Sequence, residues 1–80
     1  MKTLTIFNDS ITGYQVLYVD DTLRGEYDTV CGSDLVDASG GDPVRLVYRE
    51  DEFPDSFQWP GSLIELERTL KAWAEMEATE

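Results

Sequence analysis

Carboxylates are the chemically active side chains that this chain has in abundance. Its 80 residues include 17 Asp and Glu against 6 Lys and Arg, and they contain no His. Histidine is the side chain that most readily exchanges protons near neutral pH, so Ser-His, Cys-His and His-based metal chemistry are excluded. Carboxylate pairs remain available, and such pairs can hydrolyse glycosides or bind a divalent metal.

The densest group of carboxylates is Glu50, Asp51 and Glu52 with Asp55. Its spacing lacks the alternating acids, central glycine and final glutamate of a calcium-binding loop. The pair Gly40-Gly41 lacks the lysine and the strand-to-helix context of a phosphate-binding loop. Since no acid pair stands in a recognisable catalytic context, we expect a protein without enzymatic activity, cofactor or metal.

The formal charge of −11 favours a binding function over chemistry. Such a charge repels nucleic acid and anionic membranes, and it speeds encounters with positively charged surfaces. Direct binding to a phosphate backbone needs clustered Lys and Arg, which this chain lacks. The expected partner is therefore a basic protein, in particular a protein or complex that itself binds nucleic acid.

Local patterns predict a single domain over residues 1–80 with the element order β-β-β-α-β-α. The predicted elements are a strand over 3–7, a β-hairpin over 14–28, a helix over 33–39, a strand over 44–49, a loop over 50–61 and a helix that begins at Leu63. Gly40-Gly41 is the expected stop of the first helix. Ser62 followed by Glu65 is a capping box and predicts the start of the second.

Side-chain periodicity assigns these elements to faces. The last helix has one apolar stripe that is expected to face the core: Leu63, Leu66, Leu70, Trp73 and Ala74. In the strand over 44–49 the expected core residues are Val44, Leu46 and Tyr48, with Arg45 and Arg49 in solvent. In the hairpin Leu23, Gly25 and Tyr27 are expected inside, and Arg24, Glu26 and Asp28 outside. The expected fold is α+β, a small mostly antiparallel sheet with both helices packed on one face.

The loop over 50–61 mixes aromatic rings with acids, because Phe53, Phe57 and Trp59 lie among the carboxylates. Two arrangements are open. The rings can fold back and cap the small core. Alternatively, one or two of them can stay exposed as anchors inside an acidic rim, as hot-spot residues are arranged at interfaces.

Two acidic segments are the expected partner-binding residues. The first is in the loop and comprises Glu50, Asp51, Glu52, Phe53 and Asp55, with Phe53 as the expected aromatic anchor. The second is on the hairpin and comprises Asp20, Asp21, Glu26 and Asp28. The sequence does not reveal whether these acids converge on one face.

Cysteine content and hydropathy indicate a compartment. A single cysteine, Cys31, rules out an internal disulfide framework and is typical of a reducing environment. The stretch 1–7 alternates in polarity and lacks the apolar core of a signal peptide, and no run reaches transmembrane length. We therefore expect a cytoplasmic protein.

A Met-Lys start, an α+β pattern, extreme acidity and the lack of catalytic residues give the chain a resemblance to small phage-encoded anti-defence proteins, including anti-CRISPR proteins. The resemblance covers the whole chain in size and composition and includes no shared motif. It implies a non-enzymatic inhibitor in the host cytoplasm that binds a nuclease or surveillance complex, in some members by imitating DNA.

A second interpretation is a small structural or regulatory subunit, or a homodimeric interaction module, whose acidity serves solubility alone. This interpretation rests on apolar residues on a face of the sheet that the pattern assigns to solvent. Such residues favour contact with another protein surface. That face comprises Gln15, Leu17, Val19 and Val47.

Overall fold

The described part of the chain folds into a four-stranded sheet with two helices. A computed structural model describes residues 1–54 and 57–78, with only the backbone for 77 and 78. The elements are β1 (Lys2–Asp9), β2 (Gln15–Val19), β3 (Thr22–Tyr27), α1 (Gly32–Ser39), β4 (Val44–Asp51) and α2 (Leu63–Ala78). The predicted element order and the α+β class are confirmed.

The sheet has the strand order β3-β2-β1-β4. β2 pairs antiparallel with both β1 and β3, whereas β4 pairs parallel with β1. The sheet is therefore mixed, and the antiparallel pairings are the majority. Parallel neighbours need a crossover connection, and the chain makes it from β3 at one edge to β4 at the other through α1.

The central strands carry apolar side chains on both faces, and each face has its own core. The first core contains Phe7, Val16, Tyr18, Phe53 and Leu66, and it lies under α2 and the loop before α2. The second contains Leu4, Ile6, Leu17 and Ala38, and it lies under α1. The expectation that both helices pack on one face is wrong, because a strand that is apolar on both sides needs a cover on each.

The start of α2 is confirmed at Leu63, but its cap comes from a distant turn. The N–H of Ile64 donates to Oδ1 of Asp21, and the hydroxyl of Ser62 donates to Oδ2 of the same carboxylate, both at 2.9 Å. The N–H of Leu63 donates to the backbone carbonyl of Asp21 at 2.9 Å. The carboxylate and the backbone carbonyl of Asp21 thus each accept one N–H group that α2 cannot bond internally.

The apolar stripe of α2 faces the core as predicted, except at Ala74, where the prediction is wrong. Leu66 is completely buried, and Leu63, Leu70 and Trp73 are partly buried against the first core. Ala74 is exposed.

The side chains of β4 do not lie as predicted. Val44, Leu46 and Tyr48 are 40%, 54% and 56% exposed. Arg49, expected in solvent, is half-buried, with its guanidinium carbon 5.0 Å from the centre of the Phe7 ring and its Nη1 3.4 Å from Oε1 of Glu67. Val44, Leu46 and Tyr48 are exposed because β4 is an edge strand and the eight-residue α1 packs over β1, β2 and β3.

Candidate functional site

Among the described residues, six carboxylates lie at one end of the sheet, which we call the acidic end. The pairing register places Asn8 beside both Gln15 and Glu50, Asp9 beside Asp51, and Gln15 beside Tyr27. The carboxyl ends of β1, β3 and β4 therefore lie together at this end of the sheet. The acidic end comprises Asp9, Glu26, Asp28, Glu50, Asp51 and Glu52.

Asp20 and Asp21 lie at the opposite end of the sheet and have structural partners. Asp20 adopts a positive φ of 53° in the turn between β2 and β3, and its Oδ1 accepts the N–H of Thr3 at 3.0 Å. Asp21 caps α2. The structure therefore does not bring these two predicted partner-binding residues together with the other acids.

A β-bulge decides which face the acids of β3 occupy. Tyr18 pairs with Leu23, but its neighbour Leu17 pairs with Gly25, so Arg24 is an extra residue on β3. The extra residue turns the rest of β3 over. Glu26 consequently pairs with Val16 and lies on the face that α2 covers.

Because of this bulge, the predicted assignment of β3 side chains to faces is wrong. Leu23 packs with the first core, whereas Tyr27 packs with the second, so they do not share a face. Glu26 and Asp28 are exposed, as expected.

A cavity of about 600 Å³ opens beside Glu26 and Asp28, and we call it the acidic cleft. Its walls combine three carboxylates with aromatic rings. It is lined by Asp9, Thr12, Tyr14, Glu26, Asp28, Phe53, Pro54, Phe57 and Trp59. Among these lining residues there is no lysine or arginine.

The aromatic wall is one packed cluster. The ring centres of Phe53 and Trp59 are 4.4 Å apart, and those of Phe57 and Trp59 are 5.0 Å apart and perpendicular. Trp73 of α2 backs the wall at 5.3 Å from Phe57. Edge-to-face packing of this kind fixes ring orientations, so the cleft has a preformed apolar side.

The loop that carries these rings is fastened at its far end to the sheet. The hydroxyl of Tyr18 donates to the carbonyl of Pro60 at 2.6 Å, and the N–H of Leu23 donates to the carbonyl of Gly61 at 3.0 Å. The loop therefore crosses the sheet face from β4 to β3 and brings Trp59 beside the acids of β3.

Of the two arrangements open for the loop aromatics, Phe53 takes the folded-back one. It is 3% exposed and belongs to the first core, so the expectation of an exposed Phe53 anchor is wrong. Phe57 and Trp59 are half-buried and present part of their rings to the cleft. Asp55, predicted with this loop, lies outside the described residues.

Asp9 is the cleft residue that sequence reasoning missed. It follows the β1 pattern directly and has the sequence signal of a turn, which it also forms. Its Oδ1 accepts the N–H of Ile11 at 2.9 Å, and its Oδ2 accepts the hydroxyl of Thr12 at 3.1 Å. At 7% exposure it places a carboxylate in the inner wall of the cleft.

The acids at the carboxyl end of β4 are divided between the two faces of the sheet. Oε2 of Glu50 accepts the amide of Asn8 at 3.0 Å on the α1 side. Asp51 points to the α2 side, where with Glu52 it lines a second depression beside Leu70 and Trp73. These acids widen the negative field of the acidic end without entering the cleft.

The hydroxyl of Tyr18, in the first core, is affected by its burial and by the charge of Glu26. Burial raises the pKa of the Tyr18 hydroxyl to about 12, and the negative charge of Glu26 adds to the increase.

Size and lining suit the cleft to an organic cation. A lysine ammonium or arginine guanidinium over an aromatic face is attracted by the ring quadrupole, and carboxylates at the rim supply charge-assisted hydrogen bonds. In the described part of the chain no three His, Cys, Asp or Glu side chains are grouped so as to hold a metal ion. None of the helices in the described ranges is long and apolar enough to cross a membrane.

Comparison of the chain with protein-family models, curated proteins and solved structures finds no match.

Proposed function

We propose that this chain is a non-enzymatic binding protein that occupies a basic groove of a nucleic-acid-binding protein or complex with its acidic end. The observation that carries the proposal is the acidic cleft, where Asp9, Glu26 and Asp28 surround an aromatic wall. Occupation of the groove would exclude nucleic acid and so inhibit the partner. The resemblance in size and composition to anti-defence proteins makes a host defence complex the partner class that we favour.

Charge alone would give such a complex little affinity. Glu26 and Asp28 are exposed, and exposed ion pairs are worth about 0–1 kcal/mol each. The half-buried rings of Phe57 and Trp59 add a partly dry surface, where a cation–π contact is worth about 0.5–2 kcal/mol. A protein cation that enters the cleft meets both effects, which an inorganic counterion does not.

The remaining carboxylates of the acidic end serve the encounter. Glu50, Asp51 and Glu52 lie at the acidic end without lining the cleft. Their charge attracts a basic partner over a distance and raises the association rate, an effect that salt screens. The cleft then sets the dissociation rate.

The test is affinity capture from nuclease-treated lysate with three baits. These are the wild type, the double variant Glu26→Gln/Asp28→Asn, and the matched control Asp37→Asn/Glu75→Gln, which removes two exposed acids on the helices. We expect the wild type and the control to retain a basic nucleic-acid-binding protein that duplex DNA elutes, and the cleft variant to lose it. Equal retention by all three baits, or a complex that DNA does not displace, would contradict the proposal.

A further inference from the structure

β4 is an edge strand whose outer backbone groups have no partner among the described residues. The N–H of Lys2 donates to the carbonyl of Pro43, and the N–H of Ser10 donates to that of Asp51. In a strand, alternate residues direct their N–H and C=O to the same side. Residues 43, 45, 47, 49 and 51 therefore bond to β1, and the backbone groups of Val44, Leu46, Tyr48 and Glu50 point away from the sheet.

Three of the residues with outward backbone groups also carry exposed apolar side chains. Val44, Leu46 and Tyr48 pair with Lys2, Leu4 and Ile6 on the α1 face, beyond the part that α1 covers. We call them the β4 stripe. An apolar stripe along an open edge is a template for strand addition, which proteins normally block.

Two of the usual blocks, proline and a β-bulge, are missing from this strand. β4 is eight residues long, contains no proline, and pairs with β1 without a register shift. Of its four charged residues, Arg45, Arg49 and Asp51 lie on the opposite face from the β4 stripe, and Glu50 follows the stripe at its carboxyl end. A long edge strand without a bulge can pair with a second strand.

We propose that the β4 edge pairs antiparallel with β4 of a second copy of this chain, across a two-fold axis at Tyr48. In this register Tyr48 lies opposite Tyr48 of the second copy, and Leu46 lies opposite Glu50. These residues all have outward backbone groups, and such hydrogen-bonded pairs would give about six N–H···O bonds. The inference is independent of the acidic cleft and of any basic partner.

Charge complementarity selects this register. With the axis at Tyr48, Arg45 of each copy lies opposite Asp51 of the other on the α2 face. An axis at Val47 would place Arg45 opposite Arg49, and an axis at Leu46 would place Arg45 opposite Val47, without an opposite charge. Like charges directly opposite one another are destabilising, whereas opposite charges are favourable.

Sedimentation with a charge swap tests the pairing. We expect a concentration-dependent dimer that Arg45→Glu weakens at least about tenfold, since symmetry counts each lost pair twice. The double variant Arg45→Glu/Asp51→Arg restores the opposite charges and should recover the dimer. The control Arg68→Glu makes the same charge change on an exposed position of α2 and should leave the dimer unchanged.

Cross-linking fixes the register in a Cys31→Ser background. Hydrogen-bonded residues on the axis are about 5.5 Å apart at Cα, within disulfide range. Tyr48→Cys should therefore form a covalent dimer on oxidation, and Leu46→Cys should not. A wild type that stays monomeric at millimolar concentration, a dimer that Arg45→Glu does not weaken, or a weakened dimer that the charge swap fails to restore would overturn the proposal. Preferential cross-linking through Leu46→Cys would also overturn it.

Discussion

The distant cap of α2 can be tested by changing Asp21. Its carboxylate accepts from Ile64 N–H and from the Ser62 hydroxyl. Loss of an N-cap acceptor costs about 1 kcal/mol, and loss of a negative charge at a helix N-terminus costs about 0.5 kcal/mol. We expect Asp21→Ala to lower the free energy of unfolding by about 1.5 kcal/mol. In a chain of this length that corresponds to a fall in Tm of about 6–12 °C.

Two further variants separate hydrogen bonding from charge. Asp21→Asn keeps an oxygen that can accept from Ile64 N–H, and its NH2 group can donate to the Ser62 hydroxyl in place of the bond that the hydroxyl donated. The main loss is the charge, so the variant should cost about 0.5 kcal/mol. Asp37→Asn removes an exposed charge from α1 and should leave the stability unchanged or slightly higher, because the net charge is −11. The assay is urea unfolding followed by tryptophan fluorescence. An Asp21→Ala variant as stable as the wild type would refute the assignment of the cap.

Three other outcomes follow from packing, ionisation and charge. Leu66 is fully buried in the first core, so Leu66→Ala should lower the free energy of unfolding in urea by about 2–5 kcal/mol. A loss below about 1 kcal/mol would mean that α2 is not held by the core. The raised pKa of Tyr18, about 12 against 10.0 when unfolded, means that stability is lost as the pH rises from 10 through 12. Tyr18→Phe should show a smaller loss across that interval in thermal melts, and an identical pH profile would contradict the shift. Raising salt from about 0.01 M to about 0.15 M should raise the Tm, because screening relieves repulsion, whereas a fall would mean that ion pairs such as Lys2–Asp42 and Arg49–Glu67 outweigh it.

Much of the fold could be predicted from the sequence because its signals are local. Alternating residues specify the hairpin, Gly40 with φ 61° ends α1 in the left-handed conformation that glycine tolerates, and Leu63 starts α2. The sequence pattern does not show which faces of each strand are covered by a helix. The alternation in β4 is that of a half-buried strand, and only the three-dimensional position of α1 shows that its apolar side is left exposed.

The cleft could be predicted only in part because it depends on pairing between strands. Glu26 and Asp28 were identified by their charge, but the bulge at Arg24 that turns them toward the aromatic wall is a property of the pairing with β2. Asp9 was missed because one acid at the end of a strand has the signal of an ordinary turn. The cap by Asp21 connects residues more than forty positions apart, a distance over which local patterns carry no information.

Cation binding at the acidic cleft can be followed residue by residue in an NMR titration. Adding an octa-arginine peptide to ¹⁵N-labelled protein at low salt should move amide signals at Asp9, Glu26 and Asp28, together with the indole N–H of Trp59. The shifts should saturate and should be lost in Glu26→Gln/Asp28→Asn. Shifts of equal size at the helix acids Asp37 and Glu75, or a titration that the double variant does not change, would contradict the account.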